Sequence, residues 1–277
     1  AEMPRYRMDL TLDDATSTIG GSLIVDFPNQ TGMALESVPF RLYPNAEYYG
    51  EGETIIERLS VDGIEIEPRF DSSGTVLFVD LPEPLNPGAS TTISLDFTTV
   101  VPRDASGSFG ILNHDLAAQR FVLADWYPIV AGWDETGWRL EPPTEQGDPT
   151  FSVTSLYEVH LSLPAAYEVI ASGDETRLDD GSTRIDSGPA REFALVAAQG
   201  LETLSARAGA TTVSLHIAPE HRETGQHLLE TGVAALDFYD ELALYIAAGE
   251  AKQQELDTVT IPAKEAEVQA APEEQGV

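Results

Sequence analysis

Apolar and polar residues alternate with a period of two through most of the first 200 residues, and this constrains the chain more than any other feature. Tyr6-Arg7-Met8-Asp9-Leu10-Thr11-Leu12-Asp13 sets the pattern, Gly20-Gly21 interrupts it, and Ser22-Leu23-Ile24-Val25-Asp26-Phe27 resumes it. Successive side chains of a strand point to opposite faces, so such a segment offers one face to a core and one to water. Further strands are expected at 38–43, 55–61, 64–66, 76–81, 91–97, 155–163, 168–172, 191–198 and 212–217. Turn signals separate them: Pro44-Asn45, Asp62-Gly63, Ser73-Gly74 and Asn86-Pro87-Gly88. Asp62-Gly63, between two short β-branched runs, predicts a tight hairpin. The expectation is a mostly β fold, an antiparallel, saddle-like β-sandwich.

The period then changes. From Glu220 to about Ala248, Leu229, Val233, Leu236, Tyr239, Ala243 and Ile246 recur at spacings of three and four, which is one stripe of a helix. Leu256 to Pro262 reads as a strand, and 263–277 is rich in Ala, Glu and Gln without apolar period. Three parts are therefore expected: a β domain over 1–207, a strand–helix–strand unit over 208–262, and a disordered acidic tail over 263–277. The helical stripe needs a covering surface, so self-association through 220–248 is expected if nothing else covers it.

Charge narrows the function classes. The 277 residues carry 47 acidic side chains against 15 basic, a formal net charge of −32. Such a surface repels phosphates, which argues against nucleic acid and anionic membranes as partners. No run reaches the roughly 18 apolar residues of a membrane-spanning helix, and the start, Ala-Glu-Met-Pro-Arg, has no signal-peptide apolar core. With no cysteine, disulfides, thiolate chemistry and cysteine-ligated zinc are excluded. Only Lys252 and Lys264 are lysines; the remaining bases are arginines. That balance suits a salt-rich cytoplasm, or an extracellular or cell-envelope protein of a GC-rich genome in which arginine codons replace lysine codons.

Three segments carry a resemblance. They are Tyr6-x-x-Asp9-Leu10-x-Leu12-Asp13 with Ile19-Gly20-Gly21-x-x-Ile24-x-x-Phe27-x-Asn29-x-Thr31; Phe40-Arg41-Leu42-Tyr43-Pro44-Asn45; and Leu81-Pro82-x-Pro84-Leu85-x-Pro87-Gly88 through Phe97. Ala124-Asp125-Trp126-Tyr127-Pro128, Gly137-Trp138, Gly147-Asp148, Tyr157 to Pro164, Ala171-Ser172-Gly173 and Arg191 to Ala194 follow in order. Together they resemble the N-terminal β domain of M1-family zinc aminopeptidases, relatives of aminopeptidase N, over about residues 6 to 262. The resemblance implies a parent protein that removes N-terminal residues from peptides with zinc-activated water.

The zinc chemistry of that family needs two histidines four apart on one helix, about 400° of turn, and a more distant glutamate. This chain has His114, His160, His216, His221 and His227 and no H-E-x-x-H. His221 and His227 are six apart and would point about 240° from each other. No catalytic or metal residue is therefore expected on this chain, which holds no cofactor itself while the parent family holds zinc. Two substrate-binding candidates follow from the resemblance: Gln119, for a glutamine that reaches the S1 subsite, and Glu273, for the glutamate of the G-x-M-E-N motif that grips the free α-amine. The helix also runs on through Leu244-Tyr245-Ile246 where the family has a Gly-x-Tyr-Pro turn.

Trp126, Trp133 and Trp138 form a second cluster, either an aromatic platform for sugar or peptide or simply core packing. Asp13-Asp14 and Asp179-Asp180-Gly181 lack calcium-loop spacing, and Asn29-Gln30-Thr31 is a glycosylation sequon by letter. The chain reads as the N-terminal portion of an M1-like metallo-aminopeptidase, inactive alone. The alternatives are a stand-alone β-sandwich binding module and a catalytically dead relative acting through protein contacts. If the acidity is a halophilic adaptation, screening should relieve carboxylate repulsion, and the melting temperature should climb steeply from low to molar sodium or potassium chloride. A melting temperature flat or falling with salt would leave codon bias as the cause.

Overall fold

A computed structural model describes residues 2–104, 112–142 and 150–247. The expected strand 256–262, the tail 263–277 and Glu273 lie outside the described residues. In chain order the strands are β1 (Arg5–Asp13), β2 (Thr18–Pro28), β3 (Leu35–Arg41), β4 (Glu53–Val61), β5 (Ile64–Glu65), β6 (Arg69–Phe70) and β7 (Val76–Leu85). Then come β8 (Ser90–Val100), β9 (Leu112–Asp115), β10 (Arg120–Leu123), β11 (Ile129–Val130), β12 (Trp133–Asp134), β13 (Gly137–Trp138) and β14 (Ser155–Ser162). The last are β15 (Glu168–Ala171), β16 (Asp174–Arg177), β17 (Thr183–Ala190), β18 (Leu195–Ala198), β19 (Glu202–Ala208) and β20 (Thr211–Ile217), followed by the helix α1 (Arg222–Ala247).

Eight strands form the main sheet in the order β16-β17-β14-β1-β2-β8-β4-β5. Burial alternates along β1, β8 and β14, so one face is apolar and the other polar. Two four-stranded sheets, β15-β18-β10-β9 and β11-β3-β7-β6, contribute to the same core. Leu10 and Leu23 of the main sheet, Phe121 and Leu123 of β10 and Val38 and Phe40 of β3 are all essentially inaccessible. The mostly β, antiparallel expectation holds, with one exception. β1 pairs with β14 in parallel, from Arg5 against Leu156 to Thr11 against Ser162, while β2 flanks it antiparallel. A pairing between segments so far apart in sequence leaves no local turn signal to read.

The Asp62-Gly63 hairpin forms as the pattern predicts. Val61 opposes Ile64, and both turn residues have positive φ, 49° and 80°, as a two-residue primed turn requires. In β2, Gly21 has φ 148°, and a Cβ there would lie 2.1 Å from the Asp9 carbonyl oxygen in β1.

The described residues divide into two compact units, one ending at Gly200 and the other beginning at Leu201. β19 pairs along its whole length with β20, from Glu202 against Ile217 to Ala208 against Thr211. In the second unit, a 3-10 turn at Pro219–His221 precedes the helix, which begins at Arg222 instead of Glu220. The helix approaches its hairpin at Gly225 and Gly232, and Leu229 and Val233 on the same stretch are half-buried.

Substituting Gly21→Ala should destabilise the fold by more than about 2 kcal/mol, because the added methyl must displace the backbone of β1. Urea unfolding of the two proteins measures this, and a difference under about 0.5 kcal/mol would refute the close approach of β1 and β2.

Candidate functional site

The three tryptophans part company. Trp126 is wholly buried, its ring centroid 5.2 Å from Tyr127, 6.3 Å from Phe97 and 6.4 Å from Phe193, so it packs the core. Trp133 and Trp138 face each other across the two-residue hairpin of β12 and β13. Their rings are nearly perpendicular, at 81°, with centroids 5.0 Å apart, and both are half-buried. The hairpin is held locally. Asp134 accepts hydrogen bonds from the Thr136 amide (2.8 Å) and hydroxyl (2.6 Å), and Arg139 Nη1 reaches its second oxygen at 3.2 Å. Those bonds, the Thr136 hydroxyl first, hold the Asp134 carboxyl below its ordinary pKa. Gly137, at φ 112°, closes the turn.

The Trp pair lines one side of a cleft of about 330 Å³. Phe27, Val130 and Ala131 form its apolar wall, and Phe27 stands 6.4 Å from the Trp138 ring. The N-terminal residues Glu2, Met3 and Pro4 also line it, held where Leu156 donates to the Pro4 carbonyl at 2.9 Å and the Gln30 amide donates to the Glu2 carbonyl. Glu2 is the one charged residue among those lining the cleft; Gln30, Thr31 and Thr154 supply neutral polar groups. A cleft of this size and lining matches a small-molecule site.

A second polar node is internal. Arg103 Nε donates to Ser17 Oγ at 2.6 Å, and the Ser17 hydroxyl shares a hydrogen bond of 2.7 Å with His114 Nδ1. His114 is 1% exposed and stacks on Phe121 at 3.7 Å, and its Nε2 has no hydrogen-bond partner. A serine and histidine in contact suggest nucleophile and base, but Ser17 is itself 1% exposed and no acid holds the far ring nitrogen. The node ties the β1–β2 turn to the end of β8 and to β9.

A third is built on the Phe40-to-Asn45 segment. The Arg41 guanidinium, 3% exposed, donates through Nη1 to the Glu141 carbonyl (2.7 Å) and the Arg139 carbonyl (3.3 Å) and lies 4.9 Å over the Tyr43 ring. Asp125, also buried, accepts from the Thr150 hydroxyl (2.8 Å) and from the Tyr49 hydroxyl (3.3 Å). Burial raises the Tyr43 hydroxyl pKa, with Arg41 opposing and Asp125 reinforcing the shift. A lone Arg or Asp in a strand pattern carries no signal of burial, which is why sequence reasoning passed over both.

Gln119 ends the exposed turn between β9 and β10, with φ 47°. Its Nε2 donates to the Leu116 carbonyl at 2.7 Å and its Oε1 accepts from Gln199 Nε2 at 3.4 Å. The candidate Glu273 lies outside the described residues, so the two are not brought together here. Asn29 is 1% exposed, with Nδ2 donating to the Met33 and Leu85 carbonyls at 2.7 and 2.8 Å, so the sequon letters serve the loop before β3.

The histidines do not converge for zinc. His114 is in the core, His160 on the polar face of the main sheet opposite Asp9, and His216 on β20 beside Thr203. His221 ends the 3-10 turn, and His227 on α1 faces Glu230 at 3.8 Å. Among the described residues no group of three His, Asp or Glu side chains could hold a metal ion, so the residues present do not fit zinc. No described helix is long and apolar enough to cross a membrane.

No protein-family profile and no curated protein sequence matches the chain. Solved structures do. Yeast LTA4 hydrolase is similar over 84% of this chain and 34% of its own, at 13% identity and a TM-score of 0.52. An M1 zinc metallopeptidase from Deinococcus radiodurans is similar over 78% of this chain and 46% of its own, at 15% identity and a TM-score of 0.45. The chain therefore spans less than half the length of either structure. At these identities the likeness is one of fold.

Burial lowers the His114 pKa from its ordinary 6.5; Arg103 lowers it further, while Asp14, Asp104 and Asp115 act in the opposite sense. Because the folded state holds the imidazole neutral, its contribution to stability is complete above pH 6.5 and drains as pH falls through the folded value. Between about pH 7.5 and 5.5 the native chain should lose urea resistance that a His114→Asn variant, which keeps an acceptor for Ser17, does not lose. Parallel pH dependence in both proteins would refute the buried neutral imidazole.

Proposed function

We propose that the chain is the N-terminal β portion of an M1-like metallo-aminopeptidase, whose full-length form removes N-terminal residues from peptides. The observation that carries this reading is where the resemblance motifs fall. Tyr6-to-Asp13 and Ile19-to-Phe27 are adjacent strands β1 and β2, Phe40-to-Asn45 runs from β3 into a 3-10 turn, and Leu81-to-Phe97 runs from β7 into β8. These are successive structural units of one β domain, in the family's order. The fold likeness to yeast LTA4 hydrolase covers 84% of the chain and supports the reading at the level of fold.

In this reading the chain is a scaffold. Its β domain shields one side of the active-site cleft, and the turn bearing Gln119 supplies part of the S1 wall, with Glu273 gripping the substrate amine. The zinc ligands belong to another part of the parent. The segment from 208 onward, with β20 and the helix, begins the thermolysin-like domain. Leu228, Leu236, Phe238, Tyr239 and Leu242 are exposed on that helix, and self-association through them is the expected behaviour of the chain by itself.

The second reading, a stand-alone β-sandwich binding module, is favoured by the Trp133–Trp138 cleft. Expression of this chain and of the uninterrupted coding sequence that contains it separates the two. The first reading expects no stoichiometric zinc and no hydrolysis of aminoacyl chromogenic substrates by the chain alone. It expects about one zinc, and hydrolysis, in a longer product carrying H-E-x-x-H. A coding sequence without that motif, or zinc and hydrolysis in this chain alone, would overturn it.

A further inference from the structure

We propose that the Trp133–Trp138 cleft binds a small organic ammonium ion, an aliphatic cation of the quaternary or alkylammonium class. Three observations converge on this. First, the two indoles meet edge to face, at 81° with centroids 5.0 Å apart, and both are half-buried among the residues that line the cleft, so their ring surface is not stacked closed. The negative face of an aromatic ring attracts a cation, tryptophan most strongly of the natural rings. Second, the rest of the wall is apolar, with Phe27, Val130 and Ala131, and the space of about 330 Å³ suits a compact methylated head rather than an extended chain. Third, Glu2 is the one charged residue among those lining the cleft, and Arg139, just after the hairpin, is paired with Asp134.

Charge complementarity therefore selects the occupant. A neutral sugar or apolar side chain would use the ring faces but gain nothing from Glu2, and an anion would be repelled by Glu2 and by the net charge of −32. Glu2 and Met3 are exposed, and the indoles are only half-buried, so water screens the attraction. Binding is accordingly weak, in the millimolar range, and falls as salt rises.

The test is a titration of the full chain with choline and, in parallel, with its uncharged carbon isostere 3,3-dimethylbutan-1-ol. The indole N–H signals of Trp133 and Trp138 are read by NMR, with buried Trp126 as the internal control. Choline should shift the first two and leave the third, and the alcohol should bind at least about five-fold more weakly. Glu2→Gln, at an exposed position, should weaken choline about three-fold without altering the alcohol. Trp133→Ala should weaken choline about ten-fold; Trp133→Phe, which keeps a ring, should recover part of that. Where Trp133→Ala fails to fold, Glu2→Gln and the salt dependence decide. Equal binding of choline and the alcohol, choline binding indifferent to Glu2→Gln and to salt, or no shift at about 100 mM choline would each overturn the proposal.

Discussion

The first unit depends on β1 being paired on both edges, and the buried tyrosines hold that arrangement. Tyr6 of β1 and Tyr157 of β14 oppose each other across the parallel seam and stack at 5.0 Å. Tyr127 approaches both edge-on, at 5.9 and 6.1 Å. Each hydroxyl has a partner: Tyr6 accepts from the Val130 amide at 3.0 Å, Tyr127 accepts from the Phe193 amide at 3.2 Å, and Tyr157 donates to the Arg191 carbonyl at 3.1 Å. Burial drives all three phenol pKa values up, so they remain neutral. An apolar ring at any of these positions would leave a backbone amide or carbonyl unmatched, which costs more than the hydrogen bond itself contributes. Because the seam joins segments about 150 positions apart, it can close only after the intervening strands have formed or collapsed.

With that seam inside, most charge is left to the outer faces, Arg41 and Asp125 being buried. Arg7 and Asp26 pair at 2.5 Å, Arg184 and Asp186 at 2.9 Å, and Arg120 and Asp115 at 3.1 Å, all substantially solvated. Pairs of this kind contribute about 0–1 kcal/mol each, and 15 bases cannot neutralise 47 acids in any arrangement. The surface is thus a field and not a set of bonds. That field explains why stability should respond to salt, and why a cleft bounded by ring faces and one carboxylate discriminates by ligand charge.

The alternation in β1, β2, β8 and β14 was readable because each has one dry and one wet face. β16 and β17 escaped notice because Glu175, Arg177, Arg184 and Gly188-Pro189 obscure any period, and they lie toward an edge of the main sheet where an apolar pattern is not required. The parallel pairing of β1 and β14 has no local signature at all. The helix was legible from its spacing. Which of its apolar residues would meet strands was not, since that depends on Gly225 and Gly232. At the candidate sites, the Trp cluster was visible as letters, but only geometry separates a core ring from a pair that lines a cleft. Nothing in the residues around His114 marks it as buried; Ser17 and Arg103, which complete its polar node, come from two other segments.

The second unit shows how little apolar contact a helix can use when glycine sets the distance. A Cβ at Gly225 would lie 2.9 Å from Ile217 Cδ1 and 3.3 Å from Leu204 Cδ1, so the missing side chain is what lets α1 settle on β19 and β20. Leu229 and Val233 on the same stretch are half-buried, yet two strands cover only a narrow stripe of a 26-residue helix. Leu228, Phe238 and Tyr239 are 54%, 60% and 61% exposed. Burying an aromatic or leucine side chain contributes roughly 1.5–3 kcal/mol, and these positions forgo most of it. The first unit buries most of its large apolar side chains in its own core, whereas among the described residues the helix leaves a run of apolar side chains exposed. The two units therefore differ in how far their own contacts cover their apolar residues.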